Sequence, residues 1–170
     1  MKNTKSMIST IYQTLHAADL QELEGIYKKW ASDYDHDVVE LAGYVGHLIT
    51  SSLLLSKIKN KKAKILDAGC GTGLVGEILF ENNYKNVEGV DFSEEMLSVA
   101  NQKNIYQSLR LVDLTKKLDY EDNSFDAIVC AGTFTCGHVG PEALKEMLRV
   151  TKKAGYICFT VRKQEWEASP

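Results

Sequence analysis

A short run near the middle of the chain, Asp67-Ala68-Gly69-Cys70-Gly71-Thr72-Gly73, joins an acid to three glycines at alternate positions. Glycine accepts positive φ and leaves room beside the backbone. A strand ending in this run can therefore turn sharply around a bound molecule. The helix that must follow points its free amide N–H groups at the same spot. The plainer alternative is a tight strand-to-helix turn that binds nothing. Gly71-Thr72-Gly73-Leu74-Val75-Gly76 also fits the dinucleotide pattern G-x-G-x-x-G, which is weak when it stands alone.

Two further acids stand at comparable places. Asp91 closes an apolar run twenty residues beyond Gly71. A carboxylate there can accept hydrogen bonds from both hydroxyls of a ribose. The alternative is an acid at a helix start, since Ser93 opens the next helix. Asp113 closes Leu109-Arg110-Leu111-Val112. It can take the exocyclic amine of an adenine, or be an ordinary loop acid. Three acids around one pocket suit a ligand with a positive centre, an amino group and hydroxyls. They suit a pyrophosphate poorly, because like charges repel at close range. S-adenosylmethionine fits that description better than a dinucleotide does.

The acids need elements to hold them. Apolar runs at residues 63–67, 86–90, 109–112, 125–130 and 156–161 predict five strands. Between them, Leu74, Val75, Ile78 and Leu79 mark one helix face, and Ser93-Glu94-Glu95 caps another helix. Pro141 starts a helix with Ala143, Leu144, Met147 and Leu148 on its inner face, and Gly155 breaks it. Ahead of the first strand, Val38, Leu41, Ala42, Val45, Leu48, Ile49, Ser52 and Leu53 predict one face of a helix about 20 residues long. Strands that are apolar throughout and alternate with helices imply a doubly wound α/β fold, with a parallel sheet covered on both faces. Ligands in such sheets sit beyond the carboxyl ends of the strands. The expected organisation is an N-terminal lid over residues 1–35 and one core domain over 36–170.

The bulk properties agree. The chain has 170 residues, 44% hydrophobic and 25% charged, the size and composition of one globular domain. Its 20 basic and 23 acidic residues leave a net charge of −3, which argues against a general nucleic-acid binder. Four cysteines, Cys70, Cys130, Cys136 and Cys158, follow a polar start with no signal-peptide pattern. Reduced thiols in a cytoplasmic protein are the expectation. No apolar run is long enough to span a membrane.

With these residues in place, the chain resembles the class I S-adenosylmethionine-dependent methyltransferases. The resemblance is carried by residues 64–73, 90–93, 112–114, 125–130 and 148–155, and extends from 26 to 161. Residues 131–140 are similar to one subfamily, that of the methyltransferase-like protein of the Williams–Beuren syndrome region. The resemblance implies a Rossmann-like sheet that binds S-adenosylmethionine and releases S-adenosylhomocysteine, with a small molecule or protein as methyl acceptor. It implies that Asp67, Ala68, Gly69, Cys70, Gly71, Thr72 and Gly73 hold the methionine end and the sulfonium side. Asp91 would bind the ribose, with Phe92 against the adenine and Met96 also in the cofactor site. Asp113 and Leu114 would edge the adenine, and Ala131, Gly132, Thr133 and Phe134 would line the site after strand four. Tyr34 would cover the cofactor.

His138 is the weak candidate for a general base, and the more ordinary reading is a loop histidine. Cys130, Cys136 and His138 lack the spacing of a zinc site, so no metal is expected. The resembled family continues after strand five with a helix and an antiparallel hairpin, for which the residues after Val161 are too few. The expectation is a core without that hairpin. Catalysis is then in more doubt than cofactor binding, which keeps a cofactor-binding or partner-binding pseudoenzyme as one alternative and an NAD(P)-binding oxidoreductase as another. Residues 156–161 would present an open edge that recruits a second copy of the chain.

Overall fold

The computed structural model describes residues 4–134 and 139–162. Cys136 and His138 lie outside the described residues. The elements run α1 (Thr4–Leu15), α2 (Leu20–Trp30), a π-helical turn (His36–Leu41), α3 (Gly46–Lys57), β1 (Ile65–Ala68), α4 (Leu74–Glu81), β2 (Val87–Asp91), α5 (Glu94–Gln102), β3 (Ser108–Leu111), β4 (Phe125–Phe134), α6 (Ala143–Val150) and β5 (Thr151–Val161).

The five strands form one sheet in the order β3-β2-β1-β4-β5. Every pairing is parallel. Both faces are buried, as the continuous apolar strands require. On one face Leu66, Ala68, Val90, Ile128 and Cys130 pack against Ala143, Met147 and Val150 of α6. On the other, Ile65, Val87, Ala127 and Val129 pack against Leu54 of α3 and Val75 and Leu79 of α4. Strand order reverses at β1, which has β2 on one side and β4 on the other. The glycine run leaves the carboxyl end of β1, at that switch point.

Local signals account for the helix starts. The Ser93 side chain accepts from Met96 N at 3.3 Å and caps α5. Asp19 caps α2 by accepting from Glu22 N at 2.8 Å, and Glu22 reaches back to Ala18 N, also at 2.8 Å.

Two expectations need correction. The predicted helix from Val38 is not continuous: the chain leaves helical geometry near Gly43, where φ is +67°, and restarts at Gly46. Val38 of its predicted inner face is buried, but the part in α3 points outward. Leu48, Ile49 and Leu53 are 47%, 61% and 49% exposed, whereas His47, Thr50, Ser51 and Leu54 are buried. Thr50 can be buried because its hydroxyl donates to Gly46 O at 2.6 Å. The second correction is Gly155, which lies within β5 and not at a helix end. Phe125 pairs with Thr151 but Ala127 pairs with Tyr156, so residues 152–155 form a bulge with Ala154 at φ +65°.

The N-terminal segment is latched to the core by ion pairs. Thr72 donates its hydroxyl to Asp35, and Lys103 Nζ lies 2.7 Å from both Asp35 and Glu77. Trp30 Nε1 donates to buried Asp37 at 2.7 Å. Lys28 pairs with Glu95 at 3.0 Å. Among the described residues, no helix is long and apolar enough to cross a membrane.

Candidate functional site

The glycine run is built around the end of β2. Gly69 N and Cys70 N both donate to Val90 O, at 2.8 and 2.9 Å. Gly69, Gly71 and Gly73 have φ of +73°, +53° and +96°, which side-chain-bearing residues rarely adopt. At Gly69 there is a second reason: a Cβ would lie 2.3 Å from Thr133 Oγ1, at the end of β4.

Asp91 holds this turn in place. Gly71 N donates to its Oδ2 at 2.8 Å and Ser93 N to its Oδ1 at 3.0 Å. The side chain is buried, yet it lines a cavity at the carboxyl ends of the strands. Burial pushes its carboxyl up, and the Ser93 and Gly71 amides pull it back. Asp91 is thus both a helix-start acid and a cavity acid.

The cavity is about 70 Å³ and lined by Leu20, Tyr27, Tyr34, Gly69, Gly71, Asp91, Phe92, Met96, Val112, Asp113, Leu114, Ala131, Gly132, Thr133 and Val139. A nucleoside-sized ligand needs a pocket of roughly 300 Å³ or more. Leu20, Tyr27 and Tyr34 of the N-terminal segment form one side of this narrow cavity. Tyr27 sits edge-on to Phe92 at 5.9 Å and to Tyr34 at 6.2 Å, with Trp30 4.8 Å from Tyr34. Burial, and then the charge of Asp91, raises the Tyr27 phenol, so it stays a neutral donor.

Asp67, Ala68, Cys70, Thr72 and Gly73 do not line this cavity, and Phe134 lines a neighbouring one. Asp67 is 1% exposed and accepts the Tyr106 hydroxyl at 2.6 Å, while its Oδ1 has no partner among the described residues. Burial pushes its carboxyl up to about 7; the Tyr106 bond opposes this and the Asp91 charge adds to it. Tyr106 packs against the glycines, and a Cβ at Gly76 would lie 2.3 Å from its ring.

Asp113 lines the cavity but is engaged locally. Its Oδ1 accepts from Thr115 N at 2.9 Å and Thr115 Oγ1 at 2.6 Å, and its Oδ2 pairs with Lys116 at 3.1 Å. Partial burial works against its charge, yet these partners hold the carboxyl below the ordinary range.

Leu20, Tyr27, Val112 and Val139 also line the cavity and were not among the site residues expected from the sequence. Tyr27, Trp30 and Tyr34 fall at i, i+3 and i+7, a spacing that marks one helical face and contained the signal for Tyr27. Cys70, Cys130 and Cys158 are buried free thiols. Burial pushes the Cys130 thiol up to about 12, so it is inert as a nucleophile at neutral pH.

Comparison with known proteins decides the family. The model of the methyltransferase domain matches residues 66–159, more than half of the chain. The chain belongs to this family. The match runs from β1 into β5 and takes in the glycine run, Asp91 and Asp113. The human methyltransferase-like protein 27 is 36% identical over 147 residues, covering 85% of this chain and 59% of that protein. The ubiquinone/menaquinone biosynthesis C-methyltransferase of Bdellovibrio bacteriovorus is 33% identical over 151 residues, covering 84% of this chain and 62% of its own length. This methyltransferase-domain chain thus spans about three fifths of these relatives. A solved protein of Methanococcus maripaludis, described as a candidate S-adenosyl-L-methionine-dependent methyltransferase, has a TM-score of 0.64 at 21% identity. It covers 83% of this chain and 68% of its own, and at that identity it speaks for the fold. The family match gives no support to the oxidoreductase alternative.

Proposed function

We propose that the cavity beside Asp91 binds S-adenosylmethionine and that the protein transfers its methyl group to a small-molecule or protein acceptor. The observation that carries the reading is the Asp91 carboxylate at the end of β2, lining a cavity that has no Lys or Arg in its wall among the described residues. Such a wall suits hydroxyls and a cation, and it offers nothing to a pyrophosphate.

The donor supplies a methyl group already activated on a sulfonium. Asp91 accepts from the ribose hydroxyls, and Phe92, Met96 and Leu114 pack against the adenine. The backbone at Gly69 and Gly71 makes room for the methionine portion. Asp67 braces the turn from behind through the Tyr106 hydroxyl, and Tyr27 and Tyr34 exclude water from above. The protein's contribution is alignment, worth up to about 7–11 kcal/mol in intramolecular models.

Melting curves test the reading. S-adenosylhomocysteine at 100 times its dissociation constant should add about 2.7 kcal/mol, a rise of roughly 5–10 °C at this size. NADH should leave the melting temperature unchanged. A rise with NADH and none with S-adenosylhomocysteine overturns it.

The open edge of β5 favours self-association. Tyr156, Phe159 and Val161 are 42%, 38% and 40% exposed, and β5 pairs only with β4 among the described strands. Light scattering on this chain should report a dimer; a monomer at high concentration would show the edge to be covered.

A further inference from the structure

A second cavity opens beside the first. It measures about 440 Å³ and lies between α1, α2 and the carboxyl ends of β4 and β5. Tyr27, Tyr34 and Gly132 line both cavities, so the two meet there. Five aromatic side chains stand in the wall of the second, Tyr27, Trp30, Tyr34, Tyr44 and Phe134, among aliphatic ones.

Its polar groups are the hydroxyls of Thr14, Tyr27, Tyr34, Tyr44 and Thr160 and the Arg162 guanidinium. Among the described residues, no Asp, Glu or His lines it. The Trp30 indole N–H is committed to Asp37 at 2.7 Å, so Trp30 has only ring surface to offer. The Tyr44 hydroxyl is buried beside the Thr160 side chain, without a close hydrogen bond among the described residues. A Cβ at Gly132 would lie 2.9 Å from that hydroxyl, so the glycine leaves it room at the junction. Among the described residues, Arg162 contributes the one charge in the wall, and no acid among them lies within ion-pair distance of it.

We infer that this cavity is the acceptor site, and that it takes a planar aromatic molecule bearing an anionic group. The inference rests on the proposed function, since it assigns the acceptor of that reaction. The ring stacks among Tyr27, Trp30, Tyr34 and Phe134, where flat apolar area is matched by aromatic faces. Arg162 receives the anion, and the Tyr44 hydroxyl donates to a polar atom near the junction. An aliphatic or aromatic amine is disfavoured, because its ammonium meets an arginine and, among the described lining residues, no carboxylate.

Calorimetric titration with three matched probes tests this. 2-Naphthoate, 2-naphthalenemethanol and 2-naphthylmethylamine share a ring system and differ in charge. The naphthoate should bind best and the amine not at all. Arg162→Gln should weaken naphthoate binding by roughly tenfold or more, and Tyr44→Phe by a smaller factor. Both variants should keep the wild-type affinity for S-adenosylhomocysteine, which also shows that they fold. Equal binding of amine and naphthoate, naphthoate affinity unchanged in Arg162→Gln, or no naphthoate binding at all overturns the inference. Loss of naphthoate binding with S-adenosylhomocysteine retained fails this inference alone. Naphthoate binding without S-adenosylhomocysteine binding fails the proposed function and leaves the preference of this cavity standing.

Discussion

Replacing Asp91 by Ala separates the two jobs that its carboxylate does. Within the protein it accepts from Gly71 N at 2.8 Å and Ser93 N at 3.0 Å. Toward the cavity it has lone pairs left for two ribose hydroxyls. Hydrogen bonds to a charged group are worth about 1.5–3 kcal/mol each. Loss of both ligand bonds would come to about 3–6 kcal/mol if nothing compensated. The raised carboxyl pKa shows that burial already opposes the charge, so part of that loss is returned. The expected outcome is an affinity for S-adenosylhomocysteine lower by about 1.4–3 kcal/mol, or roughly 10- to 150-fold. Stability should fall by about 1–2 kcal/mol, because the Gly71 and Ser93 amides lose their acceptor. Asp91→Asn is the companion variant. Its side-chain oxygen can serve one of the two amides, but its NH2 faces the other donor, so binding should also weaken. Calorimetry gives the affinity and urea unfolding gives the stability. If Asp91→Ala unfolds cooperatively and binds within about twofold of the wild type, Asp91 is only a brace for the turn, and the proposed ribose contact is wrong.

Three further outcomes are expected. Asp67 has an ordinary pKa of 3.8 and is pushed up to about 7 in the fold. The unfolded chain therefore loses this proton first, and stability falls as pH rises from about 4 to 7. Asp67→Asn should reduce that slope, so the variant gains relative to the wild type between pH 5 and pH 8 in urea unfolding; parallel profiles would refute the burial account. Asp35→Ala removes the acceptor of Thr72 and Lys103, and should hasten proteolysis within residues 31–45 while costing about 1 kcal/mol or less of global stability, because Asp35 is partly exposed. Gly69→Ala forces a Cβ to within 2.3 Å of Thr133 Oγ1 at φ +73°, and should lower the melting temperature by several degrees; Thr133→Ala in the same chain should recover part of it.

The sequence alone determined the frame. Apolar strands alternating with helices require a parallel sheet, because only a sheet covered on both faces buries such strands. Glycines at alternate positions after β1, with acids closing two of the other strands, placed the site at the carboxyl edge, and Ser93 announced its cap. These are local rules, readable within a few residues. Tertiary structure decided which side chains reach the cavity. Asp67 belongs to the same run as Gly69, yet Tyr106, distant in sequence, covers it. Asp113 lines the cavity but is satisfied by Thr115 and Lys116. The Val38–Leu53 stripe had the right period and the wrong face, since the period marks a stripe without saying which side meets the sheet. The face of α3 that meets the sheet carries His47, Thr50, Ser51 and Leu54, with the Thr50 hydroxyl satisfied inside the helix, so Leu48, Ile49 and Leu53 are left outside. Tyr27 reached the cavity only because α2 lies across α5, a contact made between elements far apart in the chain.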